Sequence, residues 1–486
     1  MLKVLINKEL RAIISSPKFV GAFVVCSILI LLSIYTGIKE YRVMSARYDA
    51  AALMVDQEVR QETSWGRMST TVYRKPDPMQ IFVAGLDYDI GRWSAVSNRG
   101  SAKLKNSAYS DDPIYSVFRF LDFSFITQFI LTLFAILFTY NAVNGEREDG
   151  TLKLIMSNAV SRANFLMGKC FGAWLGLVVP ISIPILLGFL LIMLFNVPLS
   201  ADHWMKIIFF MGLSLGLFTF FIVLGVLISS ITKASSISFL ISLVVWVLAV
   251  MIIPRVGVLA AGSMVYVPRV AEIEGQLTGF AQSKWDEFMR GTEERWNKYN
   301  QTGNGVELDE EKMWEIMQYE DSLHREIEAE IMQHELRLRE DLRQRKIRQE
   351  QLAFSLSRIS PVAAYQLGAM SLAGTDVEIK NRYEEAINNY RNEFYKFVQQ
   401  KQDETGDNGK VMLAFTISDD GSQSMTMSGD RTKENLDISG LPRFAVPGVV
   451  FAEAISPALV DFGIIIFYIL LAFAGAFVMF LRYDVR

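Results

Sequence analysis

Long apolar runs alternate with highly charged blocks along this chain of 486 residues. Six runs come close to the roughly 20 residues that an α-helix needs to cross a ~30 Å hydrocarbon core. Apolar runs of this length predict membrane-spanning helices rather than buried helices of a soluble domain. The pattern therefore predicts a mainly α-helical, six-span polytopic membrane protein. The six predicted spans are 19–38, 123–143, 171–195, 205–229, 237–259 and 458–481.

Basic residues in the short connections predict the orientation, because Lys and Arg accumulate in short loops on the cytoplasmic side. The connection 196–203 has neither, and the basic segments all fall on the other side of the six spans. We therefore expect both termini in the cytoplasm and two large extracytoplasmic regions, 39–122 and 260–457. The basic segments are 1–18, 144–170, 231–236 and the tail 482–486.

The region 260–457 has the pattern of a long helical hairpin. Apolar positions recur at helical spacing from Ile273 to Tyr299, and again over 308–356, where Gly and Pro are absent. The second helix would reach ~70 Å at 1.5 Å per residue. We expect an antiparallel, coiled-coil-like pair joined by a turn at 301–305. His324 and His334 on this helix are expected on roughly opposite, solvated faces.

Shorter patterns complete the two large regions. The helix of the first span is expected to continue to about Val59, followed by extended chain at Pro76 and Pro78 and short strands. The apolar stretch 360–374 is expected on the membrane surface, and Thr375-x-x-Glu378 predicts a capping box that opens an amphipathic helix. Residues 401–440 are expected to be a loop with a short hairpin around 419–421, or partly disordered.

Two amphipathic segments lie on the predicted cytoplasmic side. Residues 1–16 have the pattern of a helix in the membrane interface, and Pro17 ends it. The segment from Glu146 to Lys169 is short and of mixed charge, and it lies between two apolar runs. Gly150 can form a helix boundary there, with Leu152 and Leu154 on an apolar face. The residues alone leave two interpretations open, a helix that only packs at the interface and one that contacts a cytosolic protein.

The motifs of several catalytic classes are absent from the sequence. No phosphate-binding GxxxxGK[ST] string, HExxH or CxxC occurs, and the two cysteines lie in or beside spans. The GxSxG string at 212–216 lies inside a span, where small residues favour helix packing. Asp122 and Asp461 are expected at helix ends. We therefore predict no catalytic residue, no metal site, no cofactor in this chain and no nucleic-acid partner.

Several strings resemble a known family. The sequence from Asn144 to Arg162, followed by Gly168-Lys169, resembles the signature between spans two and three of ABC transporter type-2 permeases. Residues 8–18 are similar to the elbow helix of that family, and 480–486 also fit. The resemblance is closest to the multi-copper enzyme maturation permease branch, of which some members carry a large extracytoplasmic insert of unknown function. The strings 74–86 and 359–367 look like recurring parts of that insert-bearing branch.

The resemblance implies a permease subunit in the bacterial inner membrane. It would pair with a second permease, the same chain or a sibling, and with two cytosolic ATPase subunits that bind ATP and Mg²⁺. The elbow helix 1–18, with Lys8, Glu9 and Arg11, would brace the ATPase interface. A coupling helix in 144–170 would dock on the ATPase through Glu146, Glu148, Asp149, Gly150, Thr151, Leu152, Lys153 and Leu154.

Two functions remain open on these grounds. The first is ATP-driven export or extraction of an unidentified substrate. The second is a mechanotransmission complex, in which ATP hydrolysis moves the long hairpin against a periplasmic protein and no cargo crosses the membrane. The sequence disfavours an intramembrane enzyme, because it shows no nucleophile–base or metal set.

Overall fold

The computed structural model describes residues 2–96, 104–106, 121–158, 160–302, 310–405, 412–417, 423–428 and 436–482. It divides into two compact units, Met1–Met251 with Ser360–Arg486, and Ile252–Ile359. The prediction of a mainly α-helical chain with six helices long and apolar enough to cross a membrane is confirmed. These are span 1 (Pro17–Gln61), span 2 (Phe123–Glu148), span 3 (Arg162–Leu194), span 4 (Ala201–Ile231), span 5 (Ser235–Met264) and span 6 (Phe451–Leu481).

Helix α1 (Leu2–Ile14) precedes span 1, and Ser16 caps the helix of that span by accepting a hydrogen bond from the Phe19 amide at 3.2 Å. The predicted continuation of span 1 past its apolar part is confirmed, since the helix ends at Gln61. Spans 2 and 5 each contain a π-helical turn, Ile126–Leu131 and Leu248–Ile252. The short segments within and after span 2 are α2 (Asn144–Glu148) and α3 (Thr151–Ser157).

A glycine stripe on span 3 receives α1. A Cβ added at Gly168 would lie 2.8 Å from Leu5 Cβ, and one at Gly172 would lie 2.5 Å from Glu9 Cβ. The spacing of Gly168, Gly172 and Gly176 places all three on one helix face, which lets the two backbones approach closely. The sequence predicted α1 as an amphipathic helix in the membrane interface, but it did not predict that one face of α1 is buried against span 3.

Replacing Gly172 by leucine is expected to displace α1 from span 3, because the new side chain would overlap Glu9. Overpacking of this kind costs about 1–3 kcal/mol or more. The thermal midpoint of the purified protein in detergent should fall, and the α1 backbone should become protease-sensitive. Gly21→Leu in span 1 is the matched control, since a Cβ there meets nothing within 4 Å. Equal midpoints for the two variants would contradict the packing argument.

A small α/β cluster surrounds the end of the span 1 helix. Strands β1 (Thr70–Tyr73) and β2 (Trp93–Val96) pair antiparallel, and Val59, Phe394 and Val72 share one apolar core with them. Phe394 belongs to α4 (Glu378–Thr405), the predicted amphipathic helix, which buries an apolar face that includes Tyr383 and Ile387. The predicted capping box is wrong. The helix begins at Glu378, three residues after Thr375, whose hydroxyl is buried without a hydrogen-bond partner in the described residues.

Helix α5 (Pro361–Ala373) is buried in protein, contrary to the expectation that this stretch lies on the membrane surface. Ten of its 13 residues are buried, and it packs against spans 4 and 6. The Tyr365 hydroxyl lies 3.1 Å from Ser214 Oγ of span 4. An apolar helix without a polar face needs protein or lipid on all sides.

The two aspartates near span ends differ. Asp122 caps span 2, since its carboxylate accepts hydrogen bonds from the Phe125 and Ala84 amides at 2.6 and 2.8 Å. Its predicted helix-end role is confirmed. Asp461 is fully buried ten residues inside span 6, so the same prediction for Asp461 is wrong. The span 6 helix begins at Phe451, seven residues before the predicted span 458–481, so Asp461 lies inside the helix rather than at its start.

The second unit contains the predicted pair of long helices, α6 (Val270–Thr302) and α7 (Glu310–Ser357). They run antiparallel, with ion pairs Arg295–Glu320 and Lys284–Glu330, both at 2.8 Å. His324 and His334 both contact α6, where the His334 ring stacks on Phe280 and the His324 ring lies tilted against Trp285. The expectation of opposite faces is therefore wrong, although the His324 side chain is still 46% exposed. The predicted turn lies mostly outside the described residues.

Residues 401–440 contain two further strands, β3 (Met412–Ile417) and β4 (Gln423–Ser428), which pair antiparallel. The predicted turn at 419–421 lies outside the described residues.

Candidate functional site

A buried cluster of charges joins α1, α2 and span 3. Lys169 Nζ lies 2.7 Å from Glu9 Oε2 and 2.8 Å from Glu146 Oε1. Lys8 Nζ lies 2.7 Å from the same Glu146 oxygen. The side chains of Lys169, Glu9 and Glu146 are only 9%, 11% and 12% exposed. The charges of two ammonium groups, Lys8 and Lys169, thus balance those of two carboxylates, Glu9 and Glu146. We call these four side chains the Glu146 cluster.

A hydroxyl and amide network joins the end of span 2 to the end of span 4. The amides of Val143 and Asn144 donate to Ser229 Oγ at 2.9 and 3.2 Å. The Asn144 side chain donates to Thr232 Oγ1 at 3.0 Å and accepts from Ser229 Oγ at 3.0 Å. All four residues are buried, so their polar groups have no water to bond and need these hydrogen bonds within the protein.

Glu148 extends this network to span 5. Its carboxylate accepts hydrogen bonds from the Ser235 amide at 2.7 Å and the Ser235 hydroxyl at 2.6 Å. Ser235 is the first residue of span 5, where a negative charge is stabilised by the helix dipole. The end of span 2 is therefore bonded to span 3, span 4 and span 5.

Helix α3 follows from a sharp change of chain direction at Gly150. Gly150 has φ +74°, a left-handed conformation that glycine adopts without a Cβ penalty. Thr151 Oγ1 then donates to the Glu146 carbonyl at 3.2 Å and also contacts the Glu146 carboxylate. Leu152 is 2% exposed and belongs to the main apolar core. One side of α3 is therefore fixed to the protein.

The opposite side of α3 is free of such contacts among the described residues. Leu154 is 66% exposed, the neighbouring Lys153 is exposed, and Asp149 just before the helix is exposed too. An isolated exposed leucine is common on protein surfaces. Here the leucine lies on a short helix that several buried polar contacts hold in place.

The predicted site residues therefore divide into two sets. Glu146, Thr151 and Leu152 make contacts within the chain, as do Lys8 and Glu9, and Glu148 bonds to Ser235. Asp149, Gly150, Lys153, Leu154 and, on α1, Arg11 are exposed.

The site prediction omitted several residues that build this region. Lys169 was part of the matched string without an assigned role, although a lysine beside an apolar run is a signal for a buried ion pair. Arg162, also within that string, donates to the carbonyls of Phe480 and Leu481 at 2.6 Å, which joins the start of span 3 to the end of span 6. Ser229, Thr232 and Ser235 gave no signal in the sequence.

Six spanning helices with polar helical elements packed at one end define this chain as a multi-pass membrane protein. The family described as ABC-2 family transporter protein matches residues 4–485, and the chain belongs to that family. A member of this family is the membrane permease subunit of an ABC transporter and works with ABC ATPase subunits. A search of curated proteins found no match to the chain.

Proposed function

We propose that this permease couples ATP hydrolysis by two separate cytosolic ATPase subunits to export or extraction of a substrate. The observation that supports the proposal best is α3, which exposes Leu154 and Lys153 on one side and is fixed by Thr151 and Leu152 on the other. A helix that transmits motion needs an exposed contact face and a rigid attachment. Asp149, Lys153 and Leu154 would touch the ATPase, whereas Glu146 and Leu152 would hold the helix in position.

The hydrogen bonds around α3 suggest how motion would spread. Displacement of α3 pulls on Glu146, which is bonded through Lys169 to span 3 and α1. Asn144 and Glu148 carry the same displacement to spans 4 and 5. The spans and the elbow helix would therefore shift together as one body. Tightly packed helix interfaces do not deform continuously but switch between discrete arrangements.

Membrane orientation follows from the basic connections. The Glu146 end of the spans would face the cytoplasm of a bacterium, and regions 39–122 and 260–457 would lie outside the inner membrane. A second permease, the same chain or a sibling, would complete the complex. The strings 74–86 and 359–367 support assignment to the insert-bearing branch of multi-copper enzyme maturation permeases.

Site-specific crosslinking from α3 tests the proposal. A cysteine at Leu154, coupled to a short photocrosslinker in the full-length protein, should capture a cytosolic ABC ATPase in membranes. The chain's own Cys26 and Cys170 are buried and should not compete. Leu121→Cys is the control, since Leu121 is also exposed, at 45% against 66% for Leu154, and lies just before the other end of span 2. Capture of the ATPase from both positions, or from neither, would contradict the proposed docking face.

The paired helices α6 and α7 favour mechanotransmission as a second candidate. They measure roughly 50 and 70 Å at 1.5 Å per residue, and ion pairs and stacked rings lock them together. A stiff pair of this length suits a lever acting on a periplasmic protein. Crosslinking α7 at Gln349 to the chain at Val265, which it contacts at 2.8 Å, would immobilise its base. A lever then fails to complement a deletion strain, whereas a pure exporter still does.

A further inference from the structure

A cavity lined by both charged and apolar side chains lies at the other end of the spans from the Glu146 cluster. It measures about 280 Å³, is open on one side and lies within the unit formed by Met1–Met251 and Ser360–Arg486. Tyr41, His203 and Val449 line it, and they belong to span 1, to the first turn of span 4 and to the segment just before span 6. Five separate stretches of chain build its wall.

The length of span 1 places this cavity relative to the membrane. Tyr41 follows Pro17 by 24 residues of continuous helix, or roughly 36 Å at 1.5 Å per residue. The hydrocarbon core is ~30 Å thick. Lys18, the residue after Pro17, donates a hydrogen bond to the Tyr140 hydroxyl near the Glu146 end of span 2 at 3.5 Å. If this end lies at one membrane boundary, the length of the helix puts the cavity at the headgroup level of the opposite leaflet.

Buried polar groups form the floor of the cavity. Arg74 and Asp87 are ion-paired, and each side chain is only 2% exposed. Burial opposes ionisation of Asp87, but Arg74 and Arg92 outweigh it and hold the pKa of this carboxyl below its usual range. Arg74 Nε and Thr375 Oγ1 have no hydrogen-bond partner within the described part of the chain. A buried donor without a partner is unfavourable, and a bound acceptor would satisfy it.

At the rim, Lys75 and Asp77 carry charges of opposite sign, and Arg382, which also lines the cavity, is ion-paired with Asp376 at 3.0 Å. Lys75 is exposed, and no acid of the described residues lies within ion-pair distance of it. Asp77 accepts a hydrogen bond from the Met79 amide at 2.8 Å, lies 3.6 Å from His203 Nε2 and is still 42% exposed. Both side chains line the cavity on either side of Pro76, which holds the backbone extended.

The wall beside span 6 is held in place. The Lys206 ammonium donates to the Val449 carbonyl and pairs with Asp202 at 2.8 Å. Asp202 also accepts a hydrogen bond from the Phe451 amide at 2.8 Å. Val446 and Val449 thus form a fixed apolar edge next to the helix ends, where an acyl chain would meet the spans.

We propose that this cavity binds the zwitterionic headgroup of a phospholipid, with the phosphate against Lys75 and Arg74 and the ammonium group against Asp77. Basic side chains form strong, charge-assisted hydrogen bonds to phosphate. A carboxylate at the neighbouring position matches an aminoalcohol headgroup such as ethanolamine and disfavours a headgroup of net negative charge. The apolar edge at Val446 and Val449 would receive the start of the acyl chains. This inference depends on the spans lying in a bilayer and is independent of ATPase docking.

Native mass spectrometry of the full-length protein in detergent tests the inference. Phosphatidylethanolamine and phosphatidylglycerol are supplied in equal amounts, and the retained lipid is measured. The wild-type protein should retain phosphatidylethanolamine in preference. The double variant Lys75→Gln with Asp77→Asn keeps the net charge, and the new asparagine can still cap Met79. Loss of two charged hydrogen bonds should weaken retention at least about tenfold.

A matched double variant controls for charge at the same membrane level. Lys39→Gln with Glu453→Gln also removes one charge of each sign, from exposed residues that do not line the cavity. It should retain phosphatidylethanolamine like the wild type. Equal retention by both double variants, or equal retention of the two lipids by the wild type, overturns the proposal. Soluble glycerophosphoethanolamine that competes at the same concentration as the lipid would identify a soluble ligand and likewise overturn it.

Discussion

Lys169→Met is expected to destabilise the protein strongly while leaving the shape of span 3 intact. Methionine nearly matches lysine in volume, but it leaves Glu9 buried without a cation, and Glu146 keeps only Lys8. Removing one partner from a buried ion pair costs about 3–5 kcal/mol. Such a loss is a large fraction of the ~5–15 kcal/mol that stabilises a typical folded domain. A shift of the denaturation midpoint in detergent measures it.

The matched compensating variant is Glu9→Leu combined with Lys169→Met. It removes the uncompensated carboxylate together with its cation, and Glu146 remains paired with Lys8. Replacing a whole buried pair by apolar residues is often neutral. The double variant should therefore regain most of the lost stability. If Lys169→Met alone unfolds at the wild-type midpoint, the Glu146 cluster does not stabilise this end of the protein.

Leu154→Asp should abolish ATPase docking without unfolding the permease. The side chain is 66% exposed, and surface substitutions usually change stability by less than about 0.5 kcal/mol. A central apolar contact at a protein interface is worth about 2 kcal/mol or more, or roughly thirtyfold in affinity. Co-purification of the ATPase and stimulation of its hydrolysis rate by the permease are the measurements.

Leu121→Asp controls for this substitution, because it makes the same change at an exposed position at the other end of span 2. It should leave ATPase docking unchanged. Leu152→Asp, by contrast, places a charge in the apolar core and should fail in folding before docking is tested. A Leu154→Asp permease that still stimulates its ATPase normally would refute the docking face on α3.

The sequence predicted the elements whose signal is local. Apolar runs of about 20 residues revealed the spans, and helical spacing revealed α6, α7 and the continuation of span 1. Gly150 could be recognised as a helix boundary because its conformation is a property of one residue. The exposed residues of α3 could also be predicted, because they directly follow the helix boundary at Gly150.

Contacts between distant residues were out of reach. Lys169 is separated from Glu9 by 160 positions, and Asn144 from Ser229 by 85. No periodicity connects such positions. The Gly168–Gly172–Gly176 spacing was a signal for close helix packing, but it does not name the partner helix. Hydropathy alone does not distinguish lipid from buried protein as an apolar environment, which explains the wrong prediction for α5. The wrong prediction for Asp461 has another cause, since the span 6 helix begins at Phe451, before its apolar run.

The chain order of the Glu146 cluster bears on how this protein is assembled during synthesis. Glu9 and Glu146 both precede Lys169, so both acids have left the ribosome before the base does. A lysine that inserts into a membrane alone costs several kcal/mol. Here both counter-ions are already synthesised when Lys169 emerges. We therefore expect Glu9 and Glu146 to neutralise Lys169 as span 3 is inserted, with α1 and α2 as its assembly template.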